Sequence, residues 1–240
     1  FTLLGGSQYL DSPALGPYQR HLWEELCPAV EAAFPTSGRH GVAGRSSGGY
    51  GAFVQAVARP DKVRAIACHA ADMAFELVYP SGFPALAQAL AAHGGVENFV
   101  AAFRASTKKR SGAWFLPIQT LCMAACYSPT EGAPLGIELP FDPHTLELRE
   151  EVWARWLACD PLRMIERAEV QQALRGLDLL FFDCGSRDEY ALQYGLRRLV
   201  RRLSELGIPH EVEEFDDGHR STSYRFDVSL PKLVRALERS

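Results

Sequence analysis

Short, nearly unbroken apolar runs alternate along this chain with longer stretches whose apolar residues recur at three- and four-residue spacing. Residues 40–44 (HGVAG), 63–69 (VRAIACH) and 177–183 (LDLLFFD) are runs of the first kind, and they predict strands buried on both faces. A fourth segment, residues 209–215 (PHEVEEF), alternates and carries more charge, which predicts a strand nearer a sheet edge. Helical spacing appears between them. It covers residues 21–34, with Leu22, Leu26, Val30 and Ala33 on one face, residues 48–58, a stretch near 161–175, and a closing helix at 226–239. Residues 190–206 are strongly amphipathic, with Arg197, Arg198, Arg201 and Arg202 on the wet side. Strands alternating with helices, three of the four strands continuously apolar, predict an α/β fold with a mainly parallel sheet and helices on both faces.

Residues 73–160 break this rhythm. They hold helical pieces (FPALAQALAAH, NFVAAFRAS, WFLPIQTLCMAACY) and then a Pro- and Gly-rich loop, SPTEGAPLGIELPFDPHT, with no strand pattern. The expectation is a single domain over 1–240 with residues 73–160 as a helical insertion between two strands, in the position of a lid. Phe99, Phe103, Trp114 and Phe115 would be the insertion's own core or a cap over an acyl or aryl group. The opening residues 1–18 are rich in Gly, Ser and Pro and read as loop.

Composition narrows the function classes. A net charge of −4, with Lys108-Lys109-Arg110 as the longest basic run, argues against nucleic acid as a partner. No apolar stretch approaches the ~18–20 residues of a membrane span. The six cysteines are scattered and mostly inside apolar runs, without a His or Cys cluster at zinc-ligand spacing, so the expectation is structural thiols, no metal, and a reducing, cytoplasmic compartment.

The chemistry centres on Gly44-Arg45-Ser46-Ser47-Gly48, which closes the first apolar run and opens a helix. This G-x-S-x-G pattern is a nucleophile elbow when it stands in that context. The bend is so tight that the residues two before and two after the serine must lack bulk, and the helix's first amides, that of Ser47 foremost, then point where an oxyanion would form. A serine needs a base, and in this order of elements the base follows the last strand. His219, in FDDGH directly after residues 209–215, fits; His69, at the end of the second strand, is the runner-up. The orienting acid belongs to the strand before, where DCGSRDE offers Asp188 first, with Glu189 and Asp183 behind it. Gln8, Tyr9 and Ser12 in the opening loop, Arg45 beside the serine and Asp72 past the second strand are candidates to touch substrate. Arg45 could equally pair with a surface carboxylate, and Asp72 could cap a helix.

On GGSQYLDS at 5–12, AGRSSGGYGA at 43–52, CHAADMAFEL at 68–77, DCGSRDEY at 183–190 and FDDGHRSTSYR at 215–225, the chain resembles a serine esterase family. That family includes esterase D (S-formylglutathione hydrolase), enterochelin esterases, feruloyl esterases and mycolyltransferases. The resemblance implies an α/β-hydrolase fold and hydrolysis of a small-molecule ester or thioester through an acyl-enzyme. It also implies no metal or organic cofactor, with Ser46, Asp188 and His219 as the catalytic residues. Family members carry a segment ahead of the residues matching 1–12. It supplies the first strands and a second oxyanion amide, and nothing here matches it. Together with Phe in place of Met at position 1, this leads us to expect a fragment or truncated product whose elbow strand has lost a neighbour. Such an edge invites pairing with another chain, a homo-oligomer included, and a lost oxyanion donor would remove ~2.7–4 kcal/mol of transition-state stabilisation. The alternatives are a catalytically silent association module or relic, and an acyltransferase of the same fold.

Overall fold

The computed structural model describes residues 2, 4–109 and 112–238; Phe1 and Arg110, both raised by the sequence, lie outside them. Contacts divide the chain into two compact units. One comprises residues 21–78 and 160–240, the other residues 1–20 and 79–159.

The first unit is built on a four-stranded sheet of β1 (His40–Arg45), β2 (Val63–His69), β3 (Leu179–Gly185) and β4 (Glu211–Phe215) in that spatial order. Every pair is parallel. The solid apolar sequences of β2 and β3 follow from their central positions, since both faces of each are covered. Ala65 and Ala67 of β2 pack with Phe181 of β3 and with Leu233 and Ala236 of the closing helix. Cys68, an odd number of residues away and so on the opposite face, is buried against backbone at Phe53 in the helix after β1. The two helices therefore cover opposite faces of β2. The longer helices of this unit are α1 (Cys27–Ala33), α2 (Ser47–Ala58), α3 (Ala168–Arg175), α4 (Leu192–Glu205) and α5 (Phe226–Glu238). β1 and β4 are the edges; among the described residues β1 has no strand on its outer side.

The segment before β1 is helical as its spacing predicts, but the face that points inward is a different one. Leu26 and Val30 are exposed, and Trp23 is the buried residue, its indole N–H donating to Gln55 Oε1 (2.6 Å) beneath the Arg59 guanidinium. A π-helical turn over His21–Leu26 shifts the register just ahead of Pro28, which has no N–H to continue an α-helical ladder. The single helix expected near 161–175 is two, Pro161–Met164 and Ala168–Arg175, the first capped by Asp160, which accepts from Leu162 N–H and from the amides of Ala74 and Phe75. Burial pushes the Asp160 carboxyl up, with those donors opposing.

The second unit is helical, with helices Phe83–His93, Val96–Ala105, Gly112–Tyr127 and Glu150–Leu157 and a two-residue ladder between Asp11–Ser12 and Gly16–Pro17. Aromatics form its core: Phe83 stacks on Phe141 at 4.5 Å, and Trp156 is fully buried with its N–H on Ser128. Phe99 and Phe103 pack on Trp114, so these three serve the unit's own packing, while Phe115 is exposed. No helix among the described residues is long and apolar enough to cross a membrane.

The edge strand β4 carries Glu211, Glu213 and Glu214, paired with Lys232, Arg225 and Arg197. Arg225 holds the Glu213 carboxyl below its ordinary value of 4.5. A lowered carboxyl contributes stability above its unfolded pKa, and that contribution disappears as pH falls through the folded one. Glu213→Gln is expected to lower stability by about 1 kcal/mol near neutrality, after allowing for solvent screening. Thermal melts of the two proteins should converge as pH drops below about 4.5.

Candidate active site

Because β1–β4 run parallel, the loops leaving their C-terminal ends share one edge of the sheet, and Ser46, Asp188 and His219 follow β1, β3 and β4 there. Ser46 occupies φ 58°, ψ −125°, a region that strains any residue with a β-carbon. Its N–H donates to the His69 carbonyl at the end of β2 (2.8 Å), and its own carbonyl accepts from Gly49 and Tyr50 (2.8 and 3.1 Å). The chain doubles back so closely that a β-carbon on Gly44 would lie 2.1 Å from the Gly48 carbonyl oxygen. Only glycine fits at 44. Ser47 starts α2, and its hydroxyl donates to the buried carboxylate of Asp72 (3.2 Å). Asp72 thus meets a side chain in the first turn of α2.

Asp188 is buried and well supplied with donors. Its Oδ2 lies 2.7 Å from His219 Nδ1 and receives a long contact from the Cys184 thiol; its Oδ1 accepts the Tyr190 N–H (2.9 Å). An ionised carboxylate only accepts, so Nδ1 carries the proton and Nε2 is the basic nitrogen of the ring. The edge of Tyr190 packs against the imidazole, centroids 4.8 Å apart at 81°. Glu189, the second choice for the acid, instead accepts the backbone N–H of His219 (2.6 Å), and this bond holds its carboxyl below the usual range. Burial pushes the Cys184 thiol up, keeping it protonated beside Asp188.

Two contacts bind these loops together. Arg45, adjacent to Ser46, donates from Nη1 to the His219 carbonyl (2.6 Å); its partner is a backbone oxygen, not the surface carboxylate its sequence position left open. A β-carbon on Gly185, at the end of β3, would lie 2.4 Å from the Asp217 carbonyl oxygen, and Ser186 and Arg187 donate to the carbonyls of Phe215 and Asp217. The acid loop and the histidine loop therefore rest backbone on backbone.

The remaining candidates have partners of their own. His69 is 2% exposed with both ring nitrogens engaged, by Asp183 and Ser229, and is closed off as a base. Gln8 and Tyr9 belong to the helical unit. Gln8 is buried and donates to Tyr127 and Tyr79; Tyr9 is half exposed. Ser12 is buried there with its hydroxyl on the Ala125 carbonyl. Tyr190, Cys184 and the tether made by Arg45 escaped the sequence reading. The first sits in the very segment DCGSRDEY, two residues past Asp188, which is the one signal that marks it.

A parallel sheet whose first strand ends in a strained serine, with a carboxylate–imidazole pair on the loops of its last two, defines an α/β-hydrolase-like fold. The family described as "Putative esterase" matches residues 14–237, and the chain belongs to it. A solved ferulic acid esterase shares the fold at 17% identity with a TM-score of 0.54, covering 95% of this chain and 64% of that one. Two S-formylglutathione hydrolases also match. The one from Staphylococcus aureus is 16% identical over 92% of this chain and 64% of its own (TM-score 0.45). That from Agrobacterium tumefaciens is 16% identical over 96% and 63% (TM-score 0.46). The chain thus spans a little under two thirds of the length of these proteins. No curated protein matches the sequence.

If the Gly185 contact locks the two loops, Gly185→Ala should destabilise the fold by about 1–3 kcal/mol. The readout is a lower melting temperature in differential scanning calorimetry; an unchanged melt would show that the loops yield freely.

Proposed function

We propose that this chain is a serine hydrolase that cleaves carboxylic esters or thioesters through an acyl-enzyme. The observation that carries the reading is the buried Asp188–His219 pair at 2.7 Å, tied through Arg45 to the strained bend that holds Ser46. Family membership supports the same chemistry.

In this reading Ser46 Oγ attacks the acyl carbon while its proton passes to His219 Nε2. Asp188 keeps Nδ1 protonated and stabilises the imidazolium. Negative charge moves to the former carbonyl oxygen, which takes a hydrogen bond from the Ser47 N–H at the start of α2, where helix amides lack internal partners. The tetrahedral adduct collapses, the bond to the alcohol or thiol breaks, and Nε2–H protonates the departing group. Water then attacks the acyl-serine, giving its proton to Nε2, and the acid leaves with Ser46 regenerated. No step calls on a metal or an organic cofactor. Arg45 and Asp72 act on the bend and on Ser47; they shape the nucleophile's surroundings more directly than they select a substrate. The free cysteines fit a reducing, cytoplasmic setting.

The test is labelling with a fluorophosphonate and turnover of p-nitrophenyl acetate. Wild type should label on Ser46 and hydrolyse the ester, Ser46→Ala should do neither, and Asp188→Asn should lose about 10⁴-fold in kcat. Equal turnover by wild type and Ser46→Ala would remove Ser46 from the chemistry, and a wild type that neither labels nor turns over would point to the silent association module. Product analysis with an added alcohol separates hydrolase from acyltransferase.

A further inference from the structure

A second Ser–His–Asp set lies inside the sheet unit. Ser229 of α5, His69 of β2 and Asp183 of β3 are 0%, 2% and 1% exposed. His69 Nδ1 is 2.7 Å from Asp183 Oδ1, and Nε2 is 2.8 Å from the Ser229 hydroxyl. A carboxylate accepts, so Nδ1 donates to Asp183, and Nε2 shares a hydrogen bond with the Ser229 hydroxyl. No substrate reaches a serine buried this completely, so the set is not a second nucleophile.

The bonds leaving it on either side indicate its use. The His69 carbonyl accepts the Ser46 N–H, and its imidazole fixes the strand end that presents this carbonyl. Asp183 Oδ2 accepts from Arg225 Nε (2.8 Å), and the Arg225 amide donates to the Thr222 carbonyl (3.0 Å). The Thr222 hydroxyl donates to the His219 carbonyl (3.3 Å), the same oxygen that receives Arg45, the residue covalently joined to Ser46. The circuit closes: Ser46, His69, Asp183, Arg225, Thr222, His219, Arg45 and back to Ser46. An aromatic hydrocarbon would fill the same space, since Phe226 lies 4.7 Å from the imidazole and Phe181 6.0 Å. It would not hold β2 to β3 and α5 at one register. Directional bonds in a buried network do.

We propose that His69 is a positioning residue, which sets the alignment of Ser46 with His219 through this circuit. The proposal rests on the serine-hydrolase reading above. It explains why a titratable side chain occupies a site that shape alone would give to phenylalanine.

The experiment compares wild type, Ser46→Ala, His69→Phe, His69→Asn and Ser229→Ala by circular dichroism, by fluorophosphonate labelling rate, and by kcat and KM for p-nitrophenyl acetate. His69→Phe should keep the folded spectrum and KM while kcat and the labelling rate fall together by about 10²-fold, the penalty of misalignment near 1 Å. His69→Asn places an amide N–H where Nδ1 stood and should recover all but about fivefold of that loss. A folded His69→Phe that labels at the wild-type rate overturns the proposal, as does His69→Asn falling as far as His69→Phe, which would make the role one of packing. Should His69→Phe not fold, Ser229→Ala, which removes one hydroxyl, decides. A slower labelling rate at unchanged KM supports the proposal, and the wild-type rate overturns it. Identical labelling of wild type and Ser46→Ala is a separate result, which removes the serine-hydrolase reading and the positioning role with it.

Discussion

The bend that holds Ser46 depends on a backbone approach that no side chain could survive. At the end of β1 the chain reverses so sharply that the α-carbon of Gly44 lies against the carbonyl of Gly48, and Ser46, at the apex, is left in a conformation that L-residues avoid. A strained residue persists only where its surroundings over-determine it. Here they do so with three backbone hydrogen bonds, one to the His69 carbonyl and two from α2. The bend is thus borrowed from the stability of β2 and of the helix it opens. Gly49 belongs to the same economy of space, because a β-carbon there would meet the His69 carbonyl at 2.9 Å.

Parallel strands do the rest of the gathering. A sheet in which β1, β3 and β4 point the same way delivers three loops to one edge without any contact between distant sequence positions being needed first. What the loops then require is fine adjustment, and polar groups supply it. Arg45 reaches the His219 carbonyl, Glu189 takes the His219 amide, and Asp188 takes the imidazole. His219 is held at three atoms, two of the backbone and one of the ring. Asp188 is buried beside it, and Tyr190 packs on the ring.

The sheet was legible in the sequence because β2 and β3, covered on both faces, are mostly apolar, and because β4 shows its edge position in its glutamates. The elbow was legible for a stronger reason: its geometry admits so few residues that the pattern nearly dictates the structure. Asp188 and His219 followed from where loops must emerge. The failures have equally physical causes. The inward face of the segment before β1 was missed because a π-turn ahead of Pro28 rotates the helix, and periodicity counted at 3.6 residues cannot anticipate that. Tyr190, Cys184 and Ser229 act through tertiary neighbours, on which a linear pattern is silent.

The order of the chain imposes its own timing on assembly. His69 and Asp183 bond to each other across 114 residues, and most of the helical unit is encoded between them. On a ribosome, β1 and β2 emerge before β3 and expose the apolar flank of β2 until β3 arrives, after the whole stretch 79–159 has been made. The helices in that stretch meet partners already synthesised and can settle early. The pairing of β2 with β3 therefore waits until that intervening stretch has been made.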